Sequence, residues 1–281
     1  MRLITFRKKK QEKEYVGIWK KDDTVVTLPY ESMNALILKG DPIEETDTEV
    51  LTIENVVLLS PFPHPLQDVL CLGLNYTEHA KEASGYSEEA FQSNKEEAIF
   101  FSKRVSYSQG TDAPIPAHAD LTERLDYENE LAVIIAKDCQ NISEEEAEKY
   151  IFGYTVLNDV SARDLQTRHK QWYFGKSLDG FTPMGPCIVT KDEIPFPPSL
   201  DLITKVNGEV RQASNTSLLI HSIPEIISTL SKGMTLKAGT IIATGTPKGV
   251  CMGMEHPVFL KKGDTVSCRI EKIGELVNTV E

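Results

Sequence analysis

Cysteine is sparse and scattered. The five thiols (Cys71, Cys139, Cys187, Cys251, Cys268) are odd in number and form no C-x-x-C pair. That excludes a disulfide-stapled miniature and a zinc knuckle, and it sets the expectation of reduced thiols in the cytoplasm. Long apolar runs are missing, since none approaches the ~18 residues a membrane-spanning helix needs. Positive charge is short as well. Against 42 Asp and Glu stand 30 Lys and Arg, a net charge of −12, and a surface of that sign repels a nucleic-acid backbone. The exception is local, because residues 1–21 carry eight Lys or Arg against Glu12 and Glu14; this run reads as a solvated strand and turn. It lacks the apolar core of a signal peptide, so export is not expected. With 40% hydrophobic and 26% charged residues over 281 positions, the chain suits one large globular domain or a small one beside a larger one.

Residues 1–65 read as a small N-terminal domain containing β-structure. Residues 1–8 and 15–28 alternate apolar and polar side chains with a Lys-Asp-Asp turn, and Pro61, Pro63 and Pro65 mark a linker or turn. Residues 66–281 form the expected catalytic domain. Residues 69–72 are a short apolar strand, followed over 77–97 by a polar, charged stretch with a helical first part. With so little apolar material to pack, it is expected to be a mobile lid. Residues 126–136 and 152–160 read as strands. Ser143-x-x-Glu146 predicts a capping box, and Ser161-x-x-Asp164 the start of a helix with Arg163, Gln166 and Lys170 on one face. Asn207-Gly208 predicts a hairpin turn, and Ser222, Pro224 and Gly233 bracket a further helix. Strands outnumber helices without alternating with them, which makes the fold class α+β and β-rich.

Five constellations could carry chemistry. In a continuous strand Asp126, Glu128 and Glu130 share one face, and the run continues as LAVIIA, too apolar to be exposed on both sides. The carboxylates are then either metal ligands, of the all-oxygen kind that favours Mg²⁺, Mn²⁺ or Ca²⁺ over zinc, or a solvent-facing edge. Asp159 ends the next strand, and the helix after it presents Arg163 and Gln166. Arg163 could hold a substrate carboxylate bidentately, or the helix could be a capped surface element. Gly175-Lys176-Ser177 imitates the end of a P-loop, but the required earlier glycine is Lys170, so nucleotide binding is rejected; Lys176 after Trp172, Tyr173 and Phe174 suggests a partly desolvated cation. The turn containing Thr246 and Gly249 either lets backbone approach a ligand or is simply tight. His79 and Glu82 sit i, i+3 apart, as a base and its orienting partner would, although lone surface histidines are common.

Taken together, these residues resemble the fumarylacetoacetate hydrolase family. GLNYTEHAKE, LDYENELAVII, FGYTVLNDVSARDLQ, GKSLDGFTPMGP and ATGTPKGV occur in that family's order, from about Leu70 onward. The resemblance is to its bacterial single-subunit branch of acylpyruvate hydrolases, oxaloacetate decarboxylases and 2-hydroxyhepta-2,4-diene-1,7-dioate isomerases. It implies a β-roll catalytic domain, a homodimer, and Mg²⁺ (Mn²⁺ or Ca²⁺ in its place) held by Glu128, Glu130 and Asp159, with Asp126 outside the ligand set. It further implies that His79 and Glu82 activate water from a lid, that Lys176 stabilises developing negative charge, and that Arg163, Gln166 and Thr246 contact a 2-keto acid. The expected activity is metal-dependent hydrolysis of a carbon-carbon bond in an acylpyruvate-like 2,4-diketo acid, with oxaloacetate decarboxylation or dienedioate isomerisation as alternatives. One departure is Ser102-Lys103-Arg104-Val105, where many relatives have a lysine-proline pair.

Overall fold

The structure, a computed structural model, describes every residue except 46–48, 90 and 92–96. Alternation at the N-terminal end resolves into β1 (Arg2–Lys8), β2 (Glu14–Trp19) and β3 (Thr24–Leu28), then helix α1 (Met33–Lys39) and short strands β4 (Val50–Thr52) and β5 (Val56–Leu58). The turn between β2 and β3 carries Asp23 at positive φ. Beyond the prolines come β6 (Val69–Gly73), α2 (Thr77–Tyr86), β7 (Ile99–Lys103), β8 (Leu125–Asp126), β9 (Asn129–Ile135), β10 (Ile151–Asn158) and β11 (Ser161–Ala162). There follow α3 (Arg163–Arg168), α4 (Tyr173–Lys176), β12 (Met184–Thr190), β13 (Asp201–Val206), β14 (Glu209–Asn215), α5 (Ile223–Ser231), β15 (Ile241–Ala243), β16 (Thr265–Ile270) and β17 (Gly274–Thr279).

Among the described residues one 11-stranded sheet runs β4-β3-β2-β1-β12-β10-β9-β15-β6-β7, with β5 also on β1. β1 pairs antiparallel with β12, Arg2 opposite Val189, so hydrogen bonding is continuous across residue 65. β9, β12 and β15 are buried along their whole length, which explains the apolar runs LAVII, CIV and IIA within them. A second sheet, β14-β13-β16-β17, is turned by Asn207 and Gly208, both at positive φ, as a primed hairpin turn requires. The β-rich α+β class is what the sequence predicts.

Two local expectations fail. Ser143 makes no side-chain cap, and residues 144–150 form a 3₁₀ helix; the Ser143 hydroxyl bonds Glu145, one residue short of the predicted partner. The complete capping box is at α5, where Ser222 accepts from Glu225 N and the Glu225 carboxylate accepts in return, with proline in the first turn. Second, α3 stops at Arg168 and Lys170 is left-handed, φ 60°, so Lys170 does not share the face of Arg163 and Gln166.

Candidate active site

β9 and β10 run antiparallel with Asn129 opposite Asn158. This register brings Glu128, just before β9, and Asp159, just after β10, to the same end of the pair. Asp159 N donates to Glu128 O at 2.8 Å, and Glu128 N donates to Asn158 Oδ1 at 3.0 Å. Glu128, Glu130 and Asp159 are all buried, and each offers a carboxylate oxygen within 4.8 Å of the others. Removing such charges from water costs on the order of several kcal/mol each unless cations compensate.

Asp126 is not part of that point. The strand breaks at Tyr127 and Glu128, β8 pairing separately with β11, so the common face of a continuous strand does not exist. Asp126 accepts instead from Cys251 N at 2.8 Å, Met252 N at 3.1 Å and Arg163 Nε at 2.8 Å. It anchors the arginine.

Three buried cations face the carboxylates. Lys176 Nζ lies 2.7 Å from Glu128 Oε2 and 2.8 Å from Asp159 Oδ2. Arg163 Nη1 lies 2.6 Å from Glu128 Oε1 and donates to Gln166 Oε1 at 3.0 Å. Arg163 is thus occupied by protein carboxylates, and only its Nη2 lacks a partner. The third cation, Lys103, was not among the predicted site residues. Its ammonium donates to Asp159 Oδ1, to Phe181 O at 2.7 Å and to Val160 O at 3.1 Å.

The electrostatics follow from this arrangement. Burial alone would push the Glu128 acid up, but Lys176 and Arg163 hold it far below the usual carboxylate range. Burial works against the Lys176 ammonium, yet Asp159 and Glu128 raise its pKa. For Lys103 burial prevails over Asp159 and lowers it. Glu130 has no cation within ion-pair distance among the described residues and accepts a hydrogen bond from Gly245 N at 2.7 Å. Desolvation, Asp159 and Glu128 together drive its acid well above the ordinary value. Four carboxylates, counting Asp126, meet three cations here. A hard divalent ion at the triad would supply the missing charge with an all-oxygen donor set, so the residues fit the metal.

The lid expectation needs correction. Although 77–97 is polar overall, α2 buries His79, Ala80 and Ala83. Leu74, Ala80, Ala83, Phe91, Trp172, Val250 and Met252 form one apolar cluster, with the Phe91 and Trp172 rings 5.5 Å apart. Gly73 makes room for that indole, since a Cβ there would stand 2.1 Å from it. The described part of the stretch is therefore seated; positions 90 and 92–96 lie outside the described residues. The Glu82 carboxylate accepts from Gly249 N at 3.0 and 3.1 Å, at a turn where Gly249 has φ 100°. His79 Nδ1 faces Glu82 Oε2 at 3.5 Å.

These groups enclose a cavity of about 10 Å³, whose wall includes His79, Glu128, Arg163, Gln166, Lys176 and Thr246. The Thr246 hydroxyl donates to Asn129 O at 3.1 Å and accepts from Gln212 Nε2 at 2.8 Å. Glu130 and Asp159 stand beside Glu128, Glu82 beside His79, and Asp126 one layer back behind Arg163. The sequence named Lys103 only in the departure at Ser102-Lys103-Arg104-Val105 and gave it no role, because its acceptors lie 56 to 78 residues away.

A β-rich fold in which two strand ends hold a buried Glu-Glu-Asp cluster under a histidine-bearing helix defines a class of small-molecule enzymes. The chain belongs to the fumarylacetoacetate hydrolase family: the model of the fumarylacetoacetate (FAA) hydrolase C-terminal region matches residues 68–281. It is 45% identical over 239 residues to oxaloacetate tautomerase YisK of Bacillus subtilis, covering 85% of this chain and 78% of that one. Similar solved structures include the fumarylacetoacetate hydrolase of the psychrophile Exiguobacterium antarcticum, at 38% identity and TM-score 0.87 over 100% of this chain and 99% of that one. The 2-hydroxyhepta-2,4-diene-1,7-dioate isomerase of Mycobacterium marinum matches at 32% identity and TM-score 0.77, over 100% and 98%. The family's enzymes therefore carry isomerase, hydrolase or tautomerase names, and no helix among the described residues is long and apolar enough to cross a membrane.

Proposed function

We propose that the protein is a divalent-metal-dependent enzyme that interconverts the keto and enol forms of a small 2-keto acid, with oxaloacetate as the substrate. The observation that carries this reading is the placement of the His79–Glu82 pair, with the buried imidazole in the wall of a small cavity beside Glu128 and the partly exposed carboxylate behind it. The 45% identity to an oxaloacetate tautomerase supports it.

Glu128, Glu130 and Asp159 would hold Mg²⁺, with Mn²⁺ or Ca²⁺ as substitutes. Such an ion, when bound, supplies a Lewis acid that draws electron density toward the carboxylate and 2-oxo group of a keto acid. His79 would take the proton from the carbon beside the keto group and return it to oxygen or carbon. With Nδ1 turned to Glu82, Nε2 is the nitrogen for that transfer. Lys176 would stabilise negative charge developing on the 2-oxo oxygen. Arg163, through its unpartnered Nη2, and Gln166 would receive the distal carboxylate. Thr246 would fix the floor of the site, because both sides of its hydroxyl are already hydrogen-bonded.

Hydrolysis of an acylpyruvate is the second reading. The same dyad could direct a water at a distal carbonyl, and the 38% identical relative is a fumarylacetoacetate hydrolase. The proposal includes a homodimer in the cytoplasm, the latter supported by the absence of any disulfide among five buried cysteines.

The test is a parallel assay with Mg²⁺: conversion of enol-oxaloacetate followed by ultraviolet absorbance, pyruvate release from oxaloacetate, and cleavage of acetylpyruvate and fumarylpyruvate. Faster tautomerisation than cleavage is the expected result. Rapid acylpyruvate cleavage without tautomerisation would establish the second reading, and no metal-dependent rate in any arm would defeat both.

A further inference from the structure

The basic run at 1–21, which sequence alone reads as merely solvated, forms part of a built groove. Its walls come from β1 and β2 on one side and from the β16–β17 hairpin on the other, enclosing about 620 Å³, within the range of small-molecule sites. None of its lining residues belongs to the catalytic cavity. Arg2, Lys20, Lys21, Arg269 and Lys272 line it, and Glu193 is the one acid on the wall. On a chain of net charge −12, this is a concentrated field of opposite sign.

These cations are mostly unspent. Lys20 pairs with Glu45 at 2.7 Å, but Arg2, Lys21, Arg269 and Lys272 have no carboxylate partner among the described residues. Glu275, which stands opposite Arg269 in the β16–β17 register, is turned to the Ser267 hydroxyl instead. Arg2 is also held in place. Its guanidinium lies 4.1 Å from the Trp19 ring centre, its Nη2 donates to Ile273 O at 3.2 Å, and its buried Nε has no acceptor. An arginine stacked on an indole loses little freedom when it grips an oxyanion. Lys272 reaches the rim from a left-handed turn position, φ 63°. Between the cations the apolar surface comes from Met1 and the half-buried Trp19, with the isoleucines beneath them buried.

We propose that this groove binds a small organic anion, with an apolar body against Met1 and Trp19 and a phosphate or carboxylate head held by Arg2 and Lys272. The site is independent of the proposed catalytic reading, since it shares no residue with it.

The experiment is calorimetric titration of the Mg²⁺-loaded protein with phenyl phosphate, benzoate and benzyl alcohol, with and without saturating oxalate. Phenyl phosphate, benzoate or both should bind saturably, one per chain, and benzyl alcohol should not. The tighter of the two anions identifies the head group. Binding should persist in oxalate, because an anion seated at the carboxylate triad would be displaced and one in the groove would not. Lys272→Gln, an exposed change that leaves the fold intact, and Arg2→Gln should each weaken binding about tenfold or more, as loss of a charge-assisted contact does. No saturable binding of either anion, displacement by oxalate, or undiminished affinity in Lys272→Gln with folded Arg2→Gln would overturn the proposal.

Discussion

Lys103 and Asp159 form an ion pair from which water is wholly excluded, both side chains being 0% exposed. Asp159 is thereby gripped through Oδ1 by Lys103 and through Oδ2 by Lys176. An ion bound at the triad competes with Lys176 for that carboxylate, while Lys103 keeps it oriented from behind. Partners that orient ligands in this way typically contribute 10- to 100-fold to metal affinity. We expect Lys103→Met to weaken Mg²⁺ binding by about that factor in calorimetry and to lower thermal stability, since it leaves a buried carboxylate short of a partner. Unchanged Mg²⁺ affinity in a folded Lys103→Met protein would remove Lys103 from the site.

Glu130 makes the metal-free protein sensitive to pH. Its folded pKa is raised above the ordinary 4.5, so the stability it contributes is complete below the unfolded value and is lost as pH rises through the folded one. Melting temperatures of metal-free wild type should therefore fall, relative to Glu130→Gln, as pH climbs above the usual glutamate range. Saturating Mg²⁺ should abolish that fall in the wild type alone. Parallel melting curves for the two metal-free proteins across the range would contradict the assignment.

The lid's seat is a single indole. Trp172→Ala should cost about 3–5 kcal/mol, as large-to-small changes at buried aromatics do, and should speed amide exchange in α2 more than in β9 or β10. Uniform loss of protection across all three elements would mean that Trp172 supports the fold at large instead of the lid.

Removing the imidazole separates chemistry from metal binding. His79→Ala should slow proton transfer on oxaloacetate by roughly 10²- to 10⁴-fold, the usual share of a positioned base, with Mg²⁺ affinity unchanged. A wild-type rate in that variant would show that another group moves the proton.

Short-range patterns were readable because short-range physics writes them. The alternation of 1–8 and 15–28 gives β1, β2 and β3, and Asn207-Gly208 gives its turn. The clustering of Glu128, Glu130 and Asp159 was legible from the resemblance, and in part from Glu128 and Glu130 at the mouth of an apolar strand. The Asp126 reading from strand period alone failed because a two-residue break is decided by distant partners, Cys251 N and Met252 N. Ser143-x-x-Glu146 and Ser222-x-x-Glu225 spell the same box, and only the second closes. Proline in the first turn and a buried apolar face favour a true α-helix at α5, while 144–150 buries Ala147 alone. The lid's packing was invisible because Phe91 is one apolar residue in a polar stretch, and its partner Trp172 comes from the far side of the site.

The pairing of β1 with β12 also bears on how the chain is made. Arg2 finds Val189 only after the whole stretch between them has left the ribosome, so β1 waits through the synthesis of β2 to β11 for its inner partner. Until then β1 can close against β2 and β5 but must hold Leu3 and Ile4, both destined for full burial, beside an open edge. Such an edge recruits other strands, and sheets closed over long sequence separations form slowly. Chaperone dependence during synthesis should thus track the emergence of residues 184–190 more closely than that of Glu128, Glu130 and Asp159.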